Sequence, residues 1–154
     1  MAKTKKQSAG ILLYRSTDSE PEVFLVHPGG PFWKNKDEGA WTIPKGEFED
    51  SEDPLRAAIR EFKEETGFGI KGEFKALTPI HQKAGKIVYA WAIEGNIDAA
   101  NIKSNFFEME WPPRSGKKQS FPEVDKASWL SLTQARQKIN SSQAALLDQL
   151  SLII

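Results

Sequence analysis

Three carboxylates, Glu61, Glu64 and Glu65, stand close together in the run Arg60-Glu-Phe-Lys-Glu-Glu-Thr66. If that run is helical, they project from one side of it, at positions i, i+3 and i+4. Glu61 and Glu65 then form a like-charge pair at i, i+4, which costs roughly 0.2–0.5 kcal/mol. The acids also lie toward the helix C-terminus, where the helix dipole disfavours negative charge. The plain alternative is a solvated acidic face, with Lys63 offsetting part of the charge. A bound cation would offset the repulsion more directly. Oxygen donors suit a hard divalent ion, Mg²⁺ or Mn²⁺, and such an ion at such a cluster points to a phosphate-bearing substrate. Arg60 falls next to Glu64 on the helix surface, and Glu52, before the helix, can turn toward Arg60.

A helix that holds these acids needs clear ends and an apolar face. Asp53 is a good N-cap, and Pro54 follows at N1, where its missing N–H costs nothing. The spacing predicts a helix from Pro54 to about Thr66, stopped by Gly67. Leu55, Ala58, Ile59 and Phe62 form its expected apolar stripe. Residues 8–15 and 22–27 read as strands joined by a polar turn, and Val23-Phe24-Leu25-Val26 is apolar enough for a buried sheet. Residues 28–40 carry glycines, prolines and the adjacent pair Phe32-Trp33, the makings of a shaped loop. Residues 41–43 predict a short strand ended by Pro44. Further strands are expected at 70–79, 86–94 and 106–111, with a loop at 112–120 and a short extended stretch at 128–130. Thr133 is positioned to cap a helix to about Ile139. Ser141 or Ser142 caps a second, with Ala145, Leu146, Leu147 and Leu150 on its apolar side. The first seven residues read as a frayed terminus, and 8–154 as one compact α/β domain with a mixed sheet.

Composition narrows the function classes. The chain has 154 residues, enough for one sizeable core. Its 21 basic and 21 acidic residues balance, which argues against bulk nucleic-acid binding but leaves a small phosphate ligand open. It has no cysteine, so disulfides, thiolate chemistry and Cys-rich zinc sites are excluded. Two histidines, His27 and His81, are too few for a histidine-only zinc centre. No apolar run approaches the roughly 20 residues of a membrane span, and Ile11-Leu-Leu-Tyr14 is too short for a signal peptide. The expectation is a cytoplasmic protein acting on a small-molecule nucleotide, without a membrane partner. A homodimer is compatible with this composition.

Gly46, Glu52, Arg60, Glu61, Phe62, Glu64, Glu65, Gly67 and Phe68 together form a longer pattern. Glycine, five residues, glutamate, seven residues, then Arg-Glu-apolar-x-Glu-Glu-x-Gly-apolar resembles the Nudix signature, complete at every position. Trp41-Thr-Ile-Pro-Lys45 leading into it, and Trp129-Leu130 before a helix, add to the likeness, which covers about residues 8–150. The resemblance implies an α/β/α sandwich and Mg²⁺- or Mn²⁺-dependent hydrolysis of a nucleoside diphosphate linked to another moiety. It implies that Glu61 and Glu65 are principal metal ligands, that Glu64 binds or supports the metal, and that the Gly46 carbonyl can complete the shell. Arg60 would orient the carboxylates with Glu52 as its partner, since such outer contacts fix ligand geometry. The general base is either Glu61 or a later loop glutamate, with Glu108, Glu110 and Glu123 as candidates. Glu123 is preferred, as a catalytic and metal-site residue. Its place six residues before Trp129 resembles the diadenosine tetraphosphate hydrolase branch.

The substrate end is less sharply marked. Lys45 can hold a phosphate as a point charge, and Arg114, Lys117 and Lys118 offer either a solvated charge run or a clamp for a long polyphosphate. Trp33 is a candidate platform for a base, with Tyr89 as a second and core packing as its alternative. Trp41, Trp111 and Phe121 are also available, and His27 can contact phosphate or ribose or be structural. A dinucleoside polyphosphate such as diadenosine tetraphosphate is the expected substrate. A nucleoside triphosphate pyrophosphohydrolase of the mutator type comes next, followed by nucleotide-sugar or RNA-cap hydrolysis. A non-catalytic nucleotide-binding module would be expected to lack signature glutamates, and none is missing. An isomerase would resemble a larger branch that uses a cysteine.

Overall fold

The structure, a computed structural model, describes residues 6–154. The frayed terminus expected at 1–7 falls largely outside that range, and Gln7 already belongs to a strand. The main sheet contains β1 (Gln7–Arg15), β2 (Glu22–Pro28), β3 (Lys45–Glu47), β4 (Lys75–Ala76), β5 (Ile80–His81), β6 (Ile87–Glu94) and β9 (Val124–Ser131). Its central order is β4-β6-β1-β2-β9, with β3 paired to β1 and β5 to β6. β1 runs parallel to β6, from Gln7 opposite Ile87 to Tyr14 opposite Glu94, and antiparallel to β2 and β3. The sheet is therefore mixed, as expected. β7 (Phe106–Glu110) and β8 (Lys118–Pro122) form a separate antiparallel ribbon.

Alternation along β1 and β2 builds a core on each face. Ala9, Ile11, Leu13, Phe24 and Val26 pack on one face with Ala57, Ala58 and Phe62 of α1 (Pro54–Thr66). Leu12, Tyr14, Val23 and Leu25 pack on the other with Ala135 of α2 (Leu132–Lys138) and Leu146, Leu147 and Leu150 of α3 (Ala144–Ile153). This is an α/β/α sandwich. Among the described residues, no helix is long and apolar enough to cross a membrane.

Several local expectations shift. The 41–43 segment is held by isolated bridges, Val26 to Thr42 and Trp41 to Ile139, and the regular strand begins at Lys45. The 70–79 strand reduces to Lys75–Ala76, because Gly72 takes φ 142° and breaks the extended run. The expected loop at 112–120 is shorter: residues 118–120 belong to β8, since a two-stranded ribbon needs no continuous apolar face. Helix α2 is capped by Ser131, whose hydroxyl accepts from Gln134 N, and not by Thr133. The turn before α3 is capped by Asn140, and Ala145 is exposed. On α1 the stripe rotates: Ala57, Ala58, Phe62 and Thr66 are buried, while Leu55 and Ile59 are only partly so.

Candidate active site

Helix α1 has the predicted ends. The Asp53 carboxylate accepts from Arg56 N at 3.1 Å, and Gly67 closes the helix at φ 82°, donating its N–H to Lys63 O at 2.8 Å. The far face of α1 carries Glu61, Glu64 and Glu65 into a pocket of about 470 Å³. Lys45, Gly46 and Glu47 of β3 form one side of it, and Gln82 and Lys86 another. Glu123, from 58 residues beyond Glu65, lines the same pocket.

Backbone hydrogen bonds explain how Glu123 reaches the helix. The open carbonyls at the end of α1 take in the segment that leads into β7: Lys103 N donates to Thr66 O and Asn105 N to Glu64 O, each at 2.8 Å. Asn105 O in turn accepts from Glu123 N at 2.9 Å. The end of the signature helix and the loop glutamate are thus two bonds apart.

Arg60 lies across the acids. Its Nε and Nη2 clasp both oxygens of Glu52 at 2.8 Å, and Nη1 reaches Glu61 at 2.9 Å and Glu64 at 3.2 Å. The Glu52 contact is the largest cause raising the Arg60 pKa and lowers that of Glu52. Inside the pocket the shifts run the other way. Burial, then the Glu61 charge, pushes Glu65 up to about 8, against the opposing pull of Lys45. Burial, then Glu64, raises Glu61 and likewise Glu123. Lys45 is lowered, first by burial, although Glu65 and Glu61 favour its charge.

Five carboxylates, those of Glu47, Glu61, Glu64, Glu65 and Glu123, line this pocket against two ammonium groups, Lys45 and Lys86. Among the described residues, no group of three or more His, Asp or Glu side chains converges as a ready metal cage. Arg60 occupies oxygens of Glu61 and Glu64 that a metal would otherwise take. The donor set nevertheless fits a hard divalent cation, being all oxygen and short of positive charge.

The raised acids make a stability prediction. A carboxylate whose folded pKa exceeds its unfolded value stabilises the fold most below the unfolded pKa, and that stability is lost as pH rises through the folded pKa. For Glu65 the loss runs from about 4.5 to about 8. The metal-free Tm is therefore expected to fall between pH 6 and 8, and the Tm gain on adding Mg²⁺ to grow over the same interval. Calorimetric melts with and without Mg²⁺ check this, and a gain independent of pH would count against the cluster as the binding site.

Gly46 is required for close approach. A Cβ there would stand 2.0 Å from Glu61 Oε2. The Glu61 carboxylate is the mobile end of its side chain and would swing away, leaving the fold intact. Gly46→Ala is expected to keep a near wild-type Tm but to lose about 10²-fold in kcat, the scale of a 1 Å misplacement at a reacting centre. Steady-state kinetics on the folded variant test this, and unchanged turnover would dissociate Glu61 from the chemistry.

Other sequence-selected residues lie elsewhere. His27 is fully buried, with Nδ1 on Asp125 at 2.8 Å and Nε2 on Lys36 O at 2.6 Å, so it has no free nitrogen for a substrate. Tyr89 packs against Phe48 on the α1 side of the sheet, outside the acid pocket. Trp33 is on the surface of the 28–40 loop beneath Lys36 Nζ, 5.1 Å from its ring centre. Arg114, Lys117 and Lys118 are exposed at the tip of the β7–β8 ribbon, and Glu108 and Glu110 lie along β7. Of the expected substrate contacts, Lys45 alone lines the acid pocket. Reasoning from sequence missed Gln82, Lys86 and Asn105, which no local pattern marks. It also missed Gln143, whose buried Oε1 accepts from Ile43 N at 3.1 Å and so fixes the segment leading into β3.

Comparison with known proteins agrees with this architecture. Residues 4–150 match the NUDIX domain. The chain therefore belongs to the NUDIX domain family. A 29-residue stretch is 62% identical to Nudix hydrolase 25 of Arabidopsis thaliana, and this match takes in 19% of the chain and 17% of that protein. A C. elegans Ap4A hydrolase in a binary complex superposes with TM-score 0.66 at 24% identity, covering 96% of each chain. The NUDIX domain of Shewanella oneidensis NrtR, complexed with ADP ribose, gives 0.68 at 14% identity over 99% of this chain and 90% of that one. A MutT NUDIX hydrolase from Burkholderia pseudomallei gives 0.63 at 16%, covering 96% and 98%. At these identities the superpositions speak to fold alone.

Proposed function

We propose that this chain is a Mg²⁺-dependent pyrophosphohydrolase that cleaves a dinucleoside polyphosphate such as diadenosine tetraphosphate. The observation that carries the reading is the arrival of Glu123 in the pocket of Glu61, Glu64 and Glu65. That arrangement supplies a separate carboxylate opposite the signature helix, at the spacing from Trp129 that suggested this branch. Glu61, Glu64 and Glu65 would hold the divalent ion, with Mn²⁺ able to replace Mg²⁺ and the Gly46 carbonyl completing the shell. When bound, the ion neutralises pyrophosphate charge and makes its water more acidic.

The chain's own groups do the rest. Glu123 takes the proton of the attacking water as its oxygen bonds to phosphorus and the bridging P–O bond breaks. Lys45, half-buried at the pocket wall, holds a phosphate oxygen. Arg60, clasped by Glu52, restrains the carboxylates of Glu61 and Glu64 and would yield oxygens to the ion when it binds.

Incubation with Mg²⁺ and diadenosine tetraphosphate, the nucleoside triphosphates, ADP-ribose and nucleotide sugars tests the assignment, with both products identified in each case. Fastest turnover is expected for diadenosine tetraphosphate. Preference for a nucleoside triphosphate would replace this reading with the mutator-type one, and absence of turnover on all of them would leave a nucleotide-binding module.

A further inference from the structure

A second cavity, of about 410 Å³, opens where the 28–40 loop meets the β7–β8 ribbon. Two glycines let these segments touch. A Cβ at Gly29 would fall 1.9 Å from Pro122 O, and one at Gly30, which has φ 95°, would fall 2.9 Å from Phe107 Cζ. Gly29 N donates to Glu123 O at 2.9 Å and locks the loop to the segment that carries the loop glutamate.

The walls are largely aromatic and carry two acceptor oxygens, on Gln119 and Asp125. Trp111 and Phe121 supply ring surface, and the exposed Phe32 sets its ring edge-on to Trp111 at 5.5 Å. Gln119 Nε2 donates to Trp111 O at 2.9 Å, and among the described residues no protein donor reaches its Oε1. Asp125 gives Oδ1 to His27, and among the described residues no protein donor reaches its other oxygen. Lys34 stands at the rim. Flat apolar walls with two acceptors match a planar ring that bears N–H donors on its edge, as an aminopurine does.

The position relates the cavity to the acid pocket. Phe121, Pro122 and Asp125 line the aromatic cavity, while Glu123, between them, lines the carboxylate pocket. One ligand can therefore place phosphates on one side of this segment and a ring on the other. We propose that the cavity binds the aminopurine of the substrate's second nucleoside, an inference that rests on the dinucleoside polyphosphate reading.

Two measurements test it. In ¹⁵N-labelled protein, titration with adenosine is expected to move the Trp111 indole N–H and the Gln119 side-chain amide saturably, the former identified by its loss in Trp111→Phe. In kinetics, Trp111→Ala is expected to raise KM for diadenosine tetraphosphate about ten-fold with kcat held, and to leave KM for adenosine tetraphosphate unchanged. Trp111→Phe should restore most of the loss, since it keeps a stacking ring. Unmoved Trp111 and Gln119 resonances would overturn the proposal. So would equal KM changes for the two substrates, which would indicate a structural role for Trp111. If wild-type protein leaves diadenosine tetraphosphate uncleaved, the substrate reading falls on that result, and the adenosine titration alone decides whether the cavity takes a purine.

Discussion

Glu65→Gln is expected to abolish turnover while making the metal-free protein more stable. The two effects have one cause. Glu65 is held away from water beside Glu61, and its pKa stands at about 8. Gln is close to isosteric, retains an oxygen for the bond from Lys45 N, which lies at 3.3 Å in the native protein, and removes the buried charge. Without a cation, the neutral side chain relieves both desolvation and the repulsion from Glu61. With Mg²⁺, the same change removes a ligand. Loss of an outer contact to a metal ligand typically costs 10–100-fold, so loss of a ligand itself should exceed that, at about 10³-fold in kcat. The Tm gain on adding Mg²⁺ should shrink at the same time. Melting curves and single-turnover rates across Mg²⁺ concentrations check both. A variant that is less stable without metal, or that turns over normally, would remove Glu65 from the metal site.

The signature helix was legible because its determinants are local. Asp53, Pro54 and Gly67 act within a turn of their own positions, and each does what its residue type predicts. The mixed sheet followed from the order of the strand and helix segments, and the helices on both of its faces from the family resemblance. Partner choice did not, because pairing depends on residues far apart in the chain. The Lys118–Pro122 stretch is polar and rich in loop-forming types, yet it pairs with β7 from Glu110 opposite Lys118 to Phe106 opposite Pro122. Likewise, no periodicity indicates that Gln143 reaches back to Ile43, or that Asn105 joins Glu64 to Glu123. The rotation of the α1 stripe onto Ala57 has a similar origin: small residues face a close-packed sheet, and hydrophobicity alone ranks Leu55 and Ile59 above them. The same limit governed the site. The acids on one helix could be read from spacing. Which aromatics and cations surround them depended on contacts between distant segments: Trp33 lies on the 28–40 loop, while Tyr89 in β6 and His27 in β2 pack within the sheet, all three outside the acid pocket.

Glu123→Gln separates the two candidate bases. The backbone on both sides of Glu123 is fixed independently of its side chain, by Glu123 N donating to Asn105 O and Gly29 N donating to Glu123 O, each at 2.9 Å. The substitution should therefore leave the loop in place, and any loss reports on the carboxylate. General-base catalysis contributes roughly 10²–10⁴-fold, so kcat is expected to fall by about 10²–10³. KM should stay close to wild type, because Lys45, and the divalent ion that Glu61, Glu64 and Glu65 would hold, still engage the phosphates. The Mg²⁺ dependence distinguishes base from ligand. A base leaves the half-saturating Mg²⁺ concentration nearly unchanged, whereas a ligand raises it along with the loss of rate. Glu108→Gln is the matched control, since Glu108 lies along the β7–β8 ribbon, outside the acid pocket, and should turn over normally. Wild-type kcat in Glu123→Gln would return the proton to Glu61, whose carboxylate lies against Gly46 on the same wall of the pocket.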